Sequence, residues 1–275
     1  MAVKTNLGYN FKTVKSIYNI LNVRKYHQLI KELVGRDIKA RYKQSILGYA
    51  WVIMVPVIHL SVMTIVFSYF IKVPTGGIPY PIYLFVALVP WMFFSNSITA
   101  ATASLLANSQ LITKIYFPRE IFPLSAILAK TVDLFLSVLV LIGIMIYFKM
   151  PVYISILYVP VIFLFQFLFT VGVSLIISAL NVFYRDIENV LPVLLLVWMY
   201  LTPVFYPPEL IPENLIKIMN INPMIGVINS YRNTILYGVA PPIPSFLYVT
   251  IISISIFLIG FIFFRNKSRY FADTI

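Results

Sequence analysis

Four cationic side chains near the N-terminus are the strongest candidates for binding an anion. They are Arg36, Lys39, Arg41 and Lys43. Arg and Lys bind phosphate oxygens through charge-assisted hydrogen bonds. The same side chains also suit the headgroups of anionic lipids, at roughly 1 kcal/mol for each cation near a membrane surface. The sequence therefore predicts a surface that binds anions, with anionic lipid headgroups as the simpler ligand and a phosphate group as the alternative.

Residue patterns typical of enzymes are weak in this chain. Its two histidines, His27 and His59, have no carboxylates clustered around them, and it has no cysteine. No metal-ligand spacing such as HExxH occurs, and no GxxxxGK[ST] loop that would hold ATP phosphates. We therefore predict no catalytic residue, no metal site and no cofactor in this chain.

Lys130 and Asp133 are charged residues at helical spacing inside an apolar stretch. Charges inside lipid are costly and usually face a bundle interior or water. The simplest interpretation is an internal ion pair that neutralises itself. A proton relay is the alternative, although relays usually need several titratable groups in series.

The composition is that of a membrane protein. The chain has 275 residues, of which 60% are hydrophobic and 11% charged, and its mean hydropathy is +0.91. Soluble domains carry about 25% charged residues. The net charge of +12 comes from Lys and Arg that flank apolar stretches, as membrane topology requires, so we expect no nucleic-acid partner.

Apolar stretches long enough to cross a bilayer, which needs roughly 20 residues, predict an all-α integral membrane protein with six transmembrane helices. The predicted spans are 47–71, 83–106, 121–148, 154–180, 190–205 and 245–264. Lys and Arg concentrate in the N-terminal segment, in alternate connections and in the C-terminal tail. Cytoplasmic loops carry this excess, so both termini are predicted to be cytoplasmic.

The segment before the first span has two faces. Tyr26, Ile30 and Val34 share one side, whereas Lys31 and Arg36 lie on the other. Such a helix lies in the membrane interface and does not cross it. We predict three regions: a cytoplasmic tail over 1–25, an interfacial amphipathic helix over 26–46 and a transmembrane domain over 47–275.

The connection before the last span contains two short amphipathic stretches, 211–219 and 224–236, broken by Asn222 and Pro223. Neither is long enough to span a bilayer. A re-entrant pair fits if protein shields its backbone, and a cap lying on the outer surface is the alternative.

Two connections on the predicted cytoplasmic side could each form one short, charged helix. They are 108–118 and 181–189, and a plain loop is the alternative for each.

Three long runs of sequence resemble the permease subunit of ABC exporters for lipid-linked polysaccharides (the Wzm and TagG type). They are RDIKARYKQSILGYAWVIMVP, PWMFFSNSITAATASLLANSQLITKIYFPREIFP, and NVFYRDIENVLPVLLLVWMYLTPVFY followed by NPM. The resemblance extends from about Leu29 to the C-terminus. It implies a bacterial cytoplasmic membrane protein that exports a polyprenyl-pyrophosphate-linked O-antigen, capsule or teichoic acid glycan.

The same resemblance implies partners and roles for particular residues. The assembly would be a homodimer with two copies of a separate ATPase, which would bind MgATP. Residues 206–236 would form gate helices at the outer mouth, and the four N-terminal cations would receive the lipid pyrophosphate. The residues expected to contact the ATPase are Gln110, Lys114, Tyr116, Arg119, Arg185 and Asp186.

Aromatic side chains are the predicted wall of the glycan path, because sugars pack their C–H surfaces on aromatic rings. Aromatic residues make up 16% of the chain. The predicted track consists of Trp51, Trp91, Phe93, Phe94, Trp198, Tyr200, Phe205 and Tyr206. The alternative is an ordinary aromatic belt at the membrane interfaces.

Two other functions compete with glycan export. An exporter of the same architecture could carry a drug, an antibiotic or a small lipid. A membrane enzyme acting on a polyprenyl-linked sugar would need a polar catalytic cluster, whereas His59 and Asp133 are far apart in the sequence.

Overall fold

The computed structural model describes residues 23–42, 48, 50–114 and 117–274, and every regular element in those ranges is helical. This confirms the all-α prediction. The α-helices in chain order are α1 Val23–Tyr42, α2 Ala50–Thr64, α3 Tyr80–Ala107, α4 Ser109–Lys114, α5 Ile121–Tyr147, α6 Val159–Phe183, α7 Ile187–Tyr200, α8 Glu213–Met219, α9 Pro223–Ile235, α10 Ile243–Ser268 and α11 Phe271–Thr274. A π-helical turn, Ile65–Phe70, extends α2, and a 3₁₀ turn, Ile154–Tyr158, precedes α6.

Within the described ranges, five helical stretches have the length and hydropathy needed to cross a membrane. They are Ile53–Phe70, Tyr80–Ala107, Ile121–Tyr147, Ile154–Phe183 and Ile243–Ser268. The predicted fifth span corresponds to α7, a shorter apolar helix. Its 14 residues extend about 21 Å at 1.5 Å per residue, which is less than a hydrocarbon core of about 30 Å.

Helix α3 is the centre of the bundle and packs against α5 and α6. Its N-terminal half is apolar on all sides and almost completely buried; Ile82, Phe85 and Leu88 are at most 1% exposed. A helix that is apolar all round belongs in the interior of a membrane bundle. This buried helix is the frame on which the other elements are positioned.

Helices α6 and α10 approach each other most closely at two glycines. A Cβ atom on Gly172 would lie 2.5 Å from the carbonyl oxygen of Ile256, and one on Gly260 would overlap the backbone of Gly172. Small residues at helix crossings in membranes let the two backbones pack directly. The contact brings the last span against the fourth long helix.

Candidate functional site

The connection before the last span folds as predicted into two helices, which differ in burial. Helix α8 is largely exposed, whereas α9 is buried among α3, α6 and α10. Asn222 begins α9: its side-chain oxygen accepts from the backbone N–H of Met224 at 3.0 Å and from Trp198 Nε1 at 3.0 Å, and its Nδ2 donates to Thr202 Oγ1 at 2.8 Å. One side chain therefore caps α9 and ties it to α7.

Arg232 on α9 is a buried cation, 2% exposed. Its Nη2 donates to the carbonyl oxygen of Val204 at 2.9 Å and its Nη1 to that of Tyr206 at 3.5 Å. Its guanidinium lies 4.0 Å from the centre of the Tyr83 ring. An unpaired backbone carbonyl in a lipid-like interior is costly, so Arg232 compensates for the end of helical structure after α7.

The backbone carbonyl of Phe205, between those of Val204 and Tyr206, also has a donor. The Tyr80 hydroxyl donates to it at 2.9 Å.

A second buried chain of hydrogen bonds joins α9 to the centre of the bundle. The Tyr231 hydroxyl donates to Gln166 Oε1 at 2.9 Å, and Gln166 Nε2 donates to the carbonyl oxygen of Pro90 at 2.8 Å. These bonds hold α9 in a fixed position relative to α3 and α6. The sequence analysis assigned no role to Arg232. The signal that could have identified it is that Arg232 is the single charged residue of the stretch 224–236.

An open cavity of about 220 Å³ lies between α2, α3 and α5. We call it the polar groove; its lining residues include Trp51, Asn96, Lys130, Asp133 and Ser137. Lys130 Nζ lies 3.4 Å from Asp133 Oδ2, and the two side chains are 19% and 22% exposed. This confirms the predicted ion pair and places it beside a cavity.

The predicted aromatic track is divided by the fold. Four of its members, each at most 3% exposed, are buried inside the protomer: Trp91, Phe93, Phe94 and Phe205. The Trp198 ring stacks edge-on against Phe94, with centroids 5.1 Å apart. Trp198 and Tyr206 are half-buried, and Trp51 and Tyr200 are exposed. The four buried rings pack inside the protomer, and Phe93 also lines the polar groove. The aromatic track therefore stays a prediction.

The predicted phosphate-binding cations are only partly described. Arg36 and Lys39 are exposed on α1, and Arg36 Nη2 pairs with Asp37 Oδ1 at 3.1 Å. Arg41 lies in the last turn of α1, and Lys43 lies outside the described residues. Helix α1 is amphipathic as predicted, with Leu33 buried and the exposed cations on its other side.

Helix α4 is the predicted short helix of 108–118. Its Ile112 is buried, whereas Gln110 and Lys114 are exposed; Arg119 is half-buried, and Tyr116 lies outside the described residues. Exposed polar groups on a helix anchored by one apolar side chain are available to a partner.

The second predicted short helix, in 181–189, does not form. Helix α6 continues to Phe183, and a turn containing the exposed Arg185 and Asp186 leads directly into α7. The Asn181 side chain explains this: its Nδ2 donates to Thr102 O at 3.1 Å, and its oxygen accepts from the Glu188 N–H at 3.2 Å. The first turn of α7 is thereby held against α6 and α3.

Three elements share one apolar cluster at the end of the bundle where α4 lies, here called the α4 end. Its buried members include Leu33 of α1, Ile112 of α4 and Phe271 of α11. Phe271 is 0% exposed, and its ring packs against Phe264 with centroids 5.3 Å apart. Helix α4 contacts α11 directly, and α1 packs on α5 within the same cluster. Among the described residues, no group of three His, Asp or Glu side chains is arranged to hold a metal ion.

Comparison with known proteins identifies relatives along the whole chain. It is 31% identical to the O-antigen export system permease protein RfbA of Klebsiella pneumoniae, over 100% of this chain and 99% of that protein. The RfbA protein of Myxococcus xanthus is 30% identical over 91% of this chain and 96% of its own length. The polysialic acid transport protein KpsM of Escherichia coli is 23% identical over 87% of this chain and 93% of its length.

A family model supports the same grouping. The model of the ABC-2 type transporter matches residues 28–236, which include α2 to α9 and most of α1. That range covers well over half of the chain, and the resemblance predicted from the three sequence runs is confirmed. This chain belongs to the ABC-2 type transporter family.

Proposed function

We propose that this chain is the permease subunit of an ATP-driven exporter of polyprenyl-pyrophosphate-linked polysaccharide. The observation that carries the proposal is the similarity to O-antigen export permeases over 100% of the chain and 99% of the relative. A more distant relative is named for polysialic acid transport. Since both names refer to polysaccharides, we assign the cargo to that class without choosing between O-antigen, capsule and teichoic acid.

The proposed assembly contains two copies of this chain and two copies of a separate ABC ATPase, which binds MgATP. The sequence contains no GxxxxGK[ST] loop, so the hydrolytic site belongs to another polypeptide. A cavity of about 220 Å³ in one protomer is too small to conduct a polysaccharide chain. The exposed apolar face of α7, which includes Val193, Leu194 and Val197, supplies a surface for a second copy.

The proposed orientation in the bacterial cytoplasmic membrane places both termini and the α4 end in the cytoplasm. The concentration of Lys and Arg in the N-terminal segment and the C-terminal tail supports it. The regions then become a cytoplasmic tail over 1–25, an interfacial helix over 26–46 and a permease domain over 47–275. Arg36, Lys39, Arg41 and Lys43 would meet the lipid pyrophosphate where it enters.

The ATPase would contact α4 and the turn before α7 through Gln110, Lys114, Tyr116, Arg119, Arg185 and Asp186. Binding of ATP shifts an equilibrium between packings of the dimer if the ATPase contacts the two packings differently. The apolar cluster that joins α4 to α1 and α11 carries that displacement into the membrane. The re-entrant α9, held by Asn222 and Arg232, forms the outer end of the path.

The direct test uses a host that makes the glycan and lacks the gene for this chain. We expect lipid-linked glycan to accumulate inside the cell and surface glycan to return when the gene is restored. The purified chain alone should hydrolyse no ATP and should copurify with an ATPase when both are expressed. Normal surface glycan in the deletion host, or loss of drug resistance in its place, contradicts the proposal.

A further inference from the structure

We propose that the polar groove between α2, α3 and α5 is an intramembrane binding site for one sugar residue of the passing glycan. This inference rests on the proposed export function and adds a location and a ligand to it. Of the eight aromatic residues in the predicted track, Trp51 and Phe93 line this groove. The residues that carry it are Asn96, Lys130, Asp133 and Trp51, all of which line the cavity.

The depth of the groove indicates that its polar groups do not face lipid. Asn96 precedes the end of α3 at Ala107 by eleven residues, or about 16 Å at 1.5 Å per residue. Lys130 follows the start of α5 at Ile121 by nine residues, or about 14 Å. Both are therefore near the middle of a hydrocarbon core of about 30 Å. Charged and amide groups at that depth usually face a protein interior or a water-filled path.

The chemistry of the groove suits neutral hydroxyl groups better than an anion. Asp133 accepts hydrogen bonds, the Lys130 ammonium donates them, and the Asn96 amide does both. Because Lys130 and Asp133 neutralise each other at 3.4 Å, an incoming phosphate would have to compete with the carboxylate. A sugar hydroxyl can donate to the carboxylate and accept from the ammonium without separating the pair.

The groove also has an apolar wall for the C–H face of a sugar ring. Trp51, 42% exposed, lies on the α2 side, opposite the polar groups of α3 and α5. Trp presents a large rigid surface. The cavity of about 220 Å³ accommodates a single ring, so one sugar residue of the glycan would occupy it at a time.

The polar surface continues beyond the groove. Thr99 lies one turn nearer the α4 end, on the same side of α3 as Asn96, and both are exposed. These two side chains extend the polar surface of the groove by one helical turn toward the α4 end.

Thiol labelling tests whether the groove is open to water. The chain has no native cysteine, so Asn96→Cys introduces a single thiol. Leu258→Cys is the matched control, because Leu258 is 51% exposed and lies about 15 Å from the end of α10 at Ser268, a similar depth. In the complex with the ATPase, a charged, membrane-impermeant thiol reagent should label Asn96→Cys at least about tenfold faster than Leu258→Cys. Equal, slow labelling of both positions overturns the inference.

Cargo protection tests whether the ligand is a sugar. Labelling of Asn96→Cys is compared in membranes from cells that make the lipid-linked glycan and from cells that do not. We expect the glycan to slow labelling at this position by at least about threefold. Labelling at an exposed control outside α4, Tyr270→Cys at 53% exposure, should stay unchanged. A groove that is labelled rapidly but is not protected by glycan is only a hydrated cavity, and the sugar site is then rejected.

A paired substitution tests the role of the ion pair without leaving one charge alone. Lys130→Met with Asp133→Leu removes both charges, and replacing a buried pair by apolar residues is often neutral or stabilising. We expect normal assembly with the ATPase, an export rate lowered about tenfold, and loss of glycan protection at Asn96→Cys. Normal export and protection overturn the sugar site. The proposed function fails separately, if the unmodified chain does not restore surface glycan to the deletion host.

Discussion

At the scale of single residues, buried polar groups allow this helical bundle to contain a non-helical segment. Arg232 and Tyr80 donate to the carbonyl oxygens of residues 204, 205 and 206. An arginine suits this position because its planar fork donates in several directions, whereas an apolar residue would leave two carbonyl oxygens without these donors. The position of α9 therefore depends on a cation that is almost completely removed from solvent.

Substitution of Arg232 tests this dependence. Arg232→Met should destabilise the permease by about 2 kcal/mol or more, because hydrogen bonds to charged groups contribute about 1.5–3 kcal/mol each. Arg232→Lys should give an intermediate loss, since one ammonium cannot reproduce the fork. Thermal unfolding of the purified complex measures both changes. Arg269→Met removes an exposed arginine and is the control; equal unfolding temperatures for the 232 and 269 variants would contradict the assigned role.

At the scale of elements, backbone contact fixes the last span against the fourth long helix. Glycines at the crossing bring α6 and α10 together more closely than any side chain permits. Packing of this kind matters in lipid, where burial of apolar surface supplies little driving force between helices. The long apolar helices are thus held by shape and by a few polar bonds, such as those of Gln166 and Asn181.

A pair of identical substitutions isolates the crossing. Gly260→Ala places a methyl group against the backbone of Gly172 and should cost about 1–3 kcal/mol, as overpacking usually does. Gly143→Ala lies in α5 with open space around the new methyl group, so it should be neutral or stabilise by up to about 1 kcal/mol through helix propensity. Membrane expression and unfolding temperature measure both. A Gly143 variant at least as unstable as the Gly260 variant would exclude the crossing as the cause.

At the scale of the whole molecule, the α4 end brings together segments from the beginning, the middle and the end of the chain. Leu33, Ile112 and Phe271 pack in one cluster although they are distant in sequence. If α4 receives the ATPase, as proposed, then α1 and the C-terminal helix move with it. On that proposal, both this cluster and the exposed charges on α4 connect the bundle to the ATPase.

Adjacent aromatic residues in the C-terminal segment test that connection. Phe271→Ala removes a buried ring, a change that usually costs about 3–5 kcal/mol, and it should weaken copurification of the ATPase and lower export. Tyr270→Ala removes an exposed ring, 53% exposed, and should leave both unchanged. Quantitative pull-down and surface glycan are the measurements. If both variants retain full ATPase binding, the apolar cluster is not needed to hold α4 in position for the ATPase.

The sequence alone was sufficient for the long apolar helices and for the family, although it did not exclude a short helix in 181–189 that does not form. Long apolar stretches between charged connections determine where helices form, because lipid requires every backbone group to be paired within the helix. The boundaries of α3, α5, α9 and α10 therefore lie within a few residues of those predicted. Three long runs of sequence were specific enough to predict the family that the comparisons confirm.

The tertiary structure decided which side of each helix is buried. In the N-terminal half of α3 nearly all residues are apolar, so no periodic pattern distinguishes a core-facing ring from one that faces lipid or cargo. The burial of Trp91 and Phe94, the contacts of Arg232 with a distant segment and the cavity beside Lys130 and Asp133 all arise from packing between helices. Hydrophobicity determines that a segment enters the membrane; only contact with its neighbours determines what each side chain does there.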